Sequence, residues 1–128
     1  MNPKKIEDNE LLYRVVRQTD PDGFIDGKPT AALFMDPQGL SVDRDGGRTE
    51  SKIIDTFKKR FNRYKQDYKT AFKISANTCR SFNTYPVPAA NKSNKFHAEI
   101  HESKEIIPIS LFKAIQLANL CKEVTDEP

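Results

Sequence analysis

Two stretches of this chain place their apolar residues at helical spacing, and the apolar runs around them are short and mostly alternating. In the first, Ile53, Ile54, Phe57, Phe61, Tyr64 and Tyr68 recur three and four apart. That spacing predicts an amphipathic helix over 50–68, with Thr49 as its cap and Glu50 in its first turn. In the second, Leu111, Phe112, Ala114, Ile115, Leu117, Ala118, Leu120 and Cys121 leave only a thin polar stripe. A helix over 111–124, capped by Ser110, is therefore expected to be largely buried. Runs with strand character lie at 11–16, 31–35, 39–44, 70–76 and 96–102. Strands intervening between helices predict an α+β domain: a small antiparallel or mixed sheet of about five strands with two helices packed on one face.

The intervening segments read as turns. Residues 17–30 carry DPDG, DG and KP, and DPQG at 36–39 predicts a hairpin between 31–35 and 39–44. Residues 77–94 are rich in Pro, Asn and Ser and read as loop, 1–10 as a flexible polar arm, and 125–128 as a short acidic tail. The single domain is expected over 11–124. A chain of 128 residues is long enough to bury a core without staples. Its two cysteines, Cys79 and Cys121, have no metal-ligand spacing and fit free thiols in a reducing compartment, with Cys121 on the apolar side of its helix. No apolar run approaches the roughly 18 residues of a membrane span. The opening MNPKKIEDNE has no signal-peptide core, so a cytosolic protein is expected.

Three constellations carry candidate chemistry. In KFHAEIHES (95–103), Phe96, Ala98 and Ile100 alternate with His97, Glu99 and His101. A strand there sends both histidines and the glutamate to one face, about 7 Å apart per step. Two imidazoles and a carboxylate suit acid/base chemistry near neutral pH or a divalent metal. The spacing is not that of the H-E-x-x-H zinc proteases, and the H-x-E match to zinc deaminases lacks its P-C-x-x-C half. The wet side of a sheet accounts for the same residues.

In SVDRDGGR (41–48), Asp43 and Asp45 flank Arg44 before two glycines and Arg48. Paired carboxylates could hold Mg²⁺, and Arg44 and Arg48 with turn amides could cradle a phosphate. An Asp/Gly-rich strand–helix junction explains them equally. The third constellation is the basic helix. Between Glu50 and Lys73 lie eight basic and three acidic residues, a larger local excess than the +3 of the whole chain. Lys58, Lys59, Arg60, Arg63 and Lys65 are the candidate phosphate contacts. Arg14, inside an otherwise apolar strand, needs a carboxylate such as Glu99 or a place on a phosphate-binding surface with His97.

The order LYR, PTAALF, LSVDR and FHAEIH before a final apolar helix resembles a family of small bacterial proteins without an established activity. The matching positions are Leu12, Tyr13, Arg14, Pro29, Thr30, Phe34, Leu40, Ser41, Val42, Asp43, Arg44, His97 and Ala98, while the basic helix and His101 fall outside the pattern. The resemblance implies a bacterial or phage setting such as antiphage defence and groups Arg14, Asp43, Arg44 and His97; it implies no reaction. Three functions are compatible with these residues. An accessory module binds nucleic acid, or a nucleic-acid-bound complex, through the basic helix. A phosphodiester- or nucleotide-processing enzyme uses His97, Glu99 and His101 with Arg14 and Arg44. A third is a purely protein-binding subunit.

Overall fold

The computed structural model describes residues 1–62 and 67–125. Its frame is a six-stranded, wholly antiparallel sheet of β1 (Leu11–Arg17), β4 (Leu40–Arg44), β5 (Tyr68–Ser75), β6 (Tyr85–Pro88), β7 (His97–His101) and β8 (Lys122–Glu123). The strand order is β6-β7-β4-β1-β5-β8. A two-stranded ribbon of β2 (Phe24–Ile25) and β3 (Lys28–Pro29) stands apart from it. The helices are α1 (Glu50–Phe61), α2 (Ala76–Ser81) and α3 (Leu111–Leu120). The α+β class is as expected. Among the described residues no helix is long and apolar enough to cross a membrane.

The two longer helices do not share a face. Leu12 and Val16 of β1 join Phe72, Ile74, Leu40, Val42, Ala98 and Ile100 in the larger core, which α3 closes with Ala114 and Leu117. Tyr13 and Ala71 point the other way, packing on Ile53 and Phe57 of α1, with Leu11 and Val15 against them. The reason lies in β1 itself. In LLYRVV both alternating sets are apolar, so the central strand needs cover on both sides.

Other departures have local causes. Residues 31–35 are not a strand but a 3₁₀ turn, Ala31–Phe34, which buries the adjacent Leu33 and Phe34 together. A half-buried strand would point those two apart. The hairpin expected across DPQG is therefore absent, and β4 pairs with β1 and β7. Helix α1 stops at Phe61, Tyr68 belongs to β5, and Tyr64 lies outside the described residues. Helix α3 stops at Leu120 because 122–123 cross to pair with Phe72 and Lys73. Within 77–94, α2 is capped by the Ser75 hydroxyl, which accepts from Thr78 N–H, and β6 places Pro86 and Pro88 on a sheet edge.

Residues 1–10 are tied down rather than loose. Ile6 is buried, Arg80 donates to the Ile6 carbonyl and pairs with Asp8, and Arg44 reaches the Asn2 and Lys5 carbonyls. The expected burial of α3 also fails on its outer side, where Leu111, Phe112 and Ile115 are exposed.

Candidate functional site

Helix α1 covers the β1–β5 end of its face and leaves β4, β7 and β6 open on that side. The β4–β7 register pairs Asp43 with His97 and Ser41 with Glu99, so strand alternation puts these four, with His101, on the open face. Where α1 ends over the sheet, a cleft of about 370 Å³ opens, lined by Arg14, Ser41, Asp43, Arg60, Asn94 and His97, with Phe57 and Phe61 as its apolar wall.

Asp43 is the only carboxylate lining the cleft among the described residues, and it is heavily committed. Arg60 donates to both its oxygens, at 3.1 and 3.3 Å. Asn94 Nδ2 donates at 3.0 Å, and Arg48 stands 3.7 Å away. Arg48 stacks over the Phe96 ring, 3.7 Å from its centroid, and donates to the carbonyls of Arg44 and Asp45. Burial pulls the Arg48 guanidinium below its ordinary pKa, with the Asp43 charge opposing the shift. Gly46 makes room for Phe96: its φ is +59°, and a Cβ there would collide with the ring. Asn91 shapes the rim of the cleft, accepting from the backbone N–H of Ser93 and of Asn94 at 3.0 and 2.8 Å.

Arg14 reaches the cleft through a gap in the sheet. Pairing of β1 with β4 ends at Tyr13 opposite Asp43, and beyond it the guanidinium donates to the carbonyls of Leu33 (2.9 Å) and Ser41 (3.0 Å). Burial lowers its pKa, with only a distant pull from Asp36 and Asp20. Among the described residues no carboxylate lies within ion-pair distance of Arg14, so the expected pairing with Glu99 does not form.

Glu99 instead serves the histidines. Its Oε1 lies 2.8 Å from His101 Nε2, and its Oε2 lies 4.0 Å from His97 Nε2. Gly39, at φ +113°, permits this carboxylate position, since a Cβ there would come within 2.5 Å of Oε1. Only His97 of the three lines the cleft.

The grouping of Arg14, Asp43, Arg44 and His97 is thus met for three of its four members. Arg44 is the exception, because alternation turns it away from Asp43. It is buried, paired with Glu10 at 2.7 Å, and its Nη2 also donates to the Asn2 and Lys5 carbonyls. Its guanidinium therefore lies on the Leu12 side of the sheet, away from the open face. Asp45 accepts from Leu11 N–H and Gly47 N–H, and Asp43 sits between two guanidiniums. A cation at this carboxylate would face both positive charges. Among the described residues no group of three or more His, Cys, Asp or Glu side chains is arranged to hold a metal ion.

Along α1, Lys52 and Lys59 are exposed, and the Lys58 ammonium lies 6.0 Å from the Tyr68 ring centroid. Arg60 reaches down to Asp43 on the sheet while staying partly open to water. Arg63 and Lys65 lie outside the described residues. The sequence reading missed Asn91, Asn94 and Gly39. The N-x-S-N spacing of an Asx turn just before the histidine strand was the available signal for the first two. No protein-family model, curated protein or solved structure matches this chain.

Proposed function

We propose that the protein binds nucleic acid through α1 and the cleft beside it, as an accessory component of a larger bacterial system. The setting suggested by the family resemblance is antiphage defence. One observation carries this reading: two guanidiniums, Arg14 and Arg60, line a cleft that holds a single carboxylate among the described residues, at the end of a helix that also carries Lys52, Lys58 and Lys59. A backbone phosphate entering there meets Arg14, which no carboxylate of the described residues pairs with, with Asn94 and His97 as neighbouring polar groups. The lysines extend the contact along the strand without reading bases.

The test is a titration of the full chain against single- and double-stranded DNA and RNA at 50 and 200 mM salt. Neutralising about three phosphates weakens binding roughly twenty- to fortyfold over that range. Reversing the charge of Lys58 and Lys59 is expected to abolish binding. Salt-independent binding, or none to any of the four, sinks the reading.

A second reading is favoured by the Glu99 carboxylate, which holds His101 at 2.8 Å and lies 4.0 Å from the cleft-lining His97. In it, a phosphodiester or nucleotide is the substrate, His97 and His101 exchange protons with it, Glu99 orients His101, and Arg14 stabilises charge on phosphate. Strand cleavage that disappears in His97→Ala with the fold retained would select it over binding alone.

A further inference from the structure

The outer face of α3 is apolar, and none of the described residues covers it. Phe112 is 71% exposed and Leu111 58%, with Ile115 beside them one turn on. Ile106 and Ile107, in the turn just before the helix, are about half exposed. That turn is fastened to the start of α3 through Glu102, which accepts from Ser110 N–H at 2.8 Å and pairs with Lys113 at 3.1 Å. At roughly 200 Å² for a fully exposed large apolar side chain, the five leave on the order of 500 Å² of apolar surface per copy.

We propose that this face joins two copies of the chain in a two-fold dimer. With Gln116 and Asn119 at its margin, a pair of such faces covers roughly 1,200 Å², the lower end of what specific interfaces bury. The outward positions of α3, namely Leu111, Phe112, Ile115, Gln116, Asn119 and Leu120, carry no charge, so the two helices meet without opposing like charges. In an isologous helix pair the same stripe serves both sides, Phe112 of each copy packing against the other's Ile115.

The sheet then lies between the interface and α1, because α3 and α1 occupy opposite faces. Two cationic helices therefore point away from each other, more than a Debye length apart. A membrane fits this face less well. Interfacial helices flank their apolar side with several basic residues, and the single lysine of α3 is held by Glu102.

The test is sedimentation equilibrium of the full chain without nucleic acid, which keeps it independent of the proposed binding activity. We expect a mass of twice 14.6 kDa at concentrations of about 100 µM. Phe112→Asp and, separately, Leu111→Asp are each expected to weaken association at least tenfold while leaving the far-ultraviolet circular dichroism unchanged. A monomer throughout overturns the proposal. If that monomer sediments with neutral phosphatidylcholine vesicles, the face belongs to lipid; if it does not, another protein covers it. A dimer that persists in both variants overturns it too, because the interface then lies elsewhere.

Discussion

Asp43 of β4 and Arg60 of α1 meet as a parallel two-bond fork, at 3.1 and 3.3 Å, that fastens the end of the helix to the sheet and neutralises one of the two cleft cations. The same contact thus serves stability and restrains binding. Asp43→Asn is expected to cost about 1–3 kcal/mol in urea unfolding, since Arg60 keeps partial access to water while Arg48 loses its counter-charge. On the proposed binding reading, it should also tighten polyanion binding, because Arg60 is released to the cleft. Weaker binding in this variant would show that Asp43 contributes to the ligand contact rather than opposing it.

Arg44 and Glu10 form a buried pair on the opposite face. Arg44→Met leaves the Glu10 carboxylate without its partner and frees the Asn2 and Lys5 carbonyls. A loss of about 3–5 kcal/mol is expected. Limited proteolysis should then cut within residues 1–10 faster than in the parent. An intact N-terminus in the variant would mean that Ile6 and the Arg80 contacts hold the segment by themselves.

Acid should unfold the protein through its paired glutamates. Burial by itself would raise the Glu10 and Glu50 carboxyls; Arg44 for Glu10, and Lys73, the Thr125 N–H and Tyr13 for Glu50, more than reverse it, and both end below the ordinary value of 4.5. The folded state then holds these protons more weakly than the unfolded state. Their stabilisation is complete above pH 4.5 and is lost as pH falls through the depressed folded values. Melting temperatures between pH 6 and 3 should fall less steeply in a Glu10→Gln, Glu50→Gln double variant than in the parent. Parallel curves would refute the assignment.

Gly39→Ala places a Cβ within 2.5 Å of Glu99 Oε1 at a backbone φ of +113°. The strain is worth about 1–3 kcal/mol. The carboxylate must also move off His101, so the nuclear magnetic resonance shifts of the His101 ring should change with the substitution. An unchanged ring signal would show that Glu99 does not hold that histidine.

Both thiols should resist alkylation in the native protein. Burial pushes Cys79 up to about 12 and the half-buried Cys121 up to about 11, so almost no thiolate exists at neutral pH. Iodoacetamide at pH 7.5 is expected to leave both intact over the time in which the urea-unfolded chain reacts fully. Rapid native labelling of Cys79 would mean that its site opens readily.

The parts of this structure legible in the sequence are those that depend on near neighbours. Thr49 caps α1 as expected, accepting from Lys52 N–H, and the three- and four-residue spacing of Ile53, Ile54 and Phe57 marks the side that α1 buries. The alternation of 97–101 places His97, Glu99 and His101 on one face, and that of 40–43 separates Leu40 and Val42 from Ser41 and Asp43. Each of these follows from a helical period of 3.6 or a strand period of 2. Even there, apolar content misled. The apolar outer face of α3 looks like core when surface and interface cannot be told apart by hydrophobicity.

By itself, the sequence determined the α+β class, four of the six strands of the main sheet, and which side chains share a face. Only the tertiary structure decided which faces meet. Seating β7 beside β4, more than fifty residues away along the chain, brought His97 opposite Asp43, and the open gap after Tyr13 let Arg14 into the same cleft. Arg44, adjacent to Asp43 in sequence, went instead to Glu10 on the other side of the sheet. Local periodicity says which residues are companions on one element. Strand order and helix placement, chosen by burying apolar surface on both sides of β1, say whom those companions face.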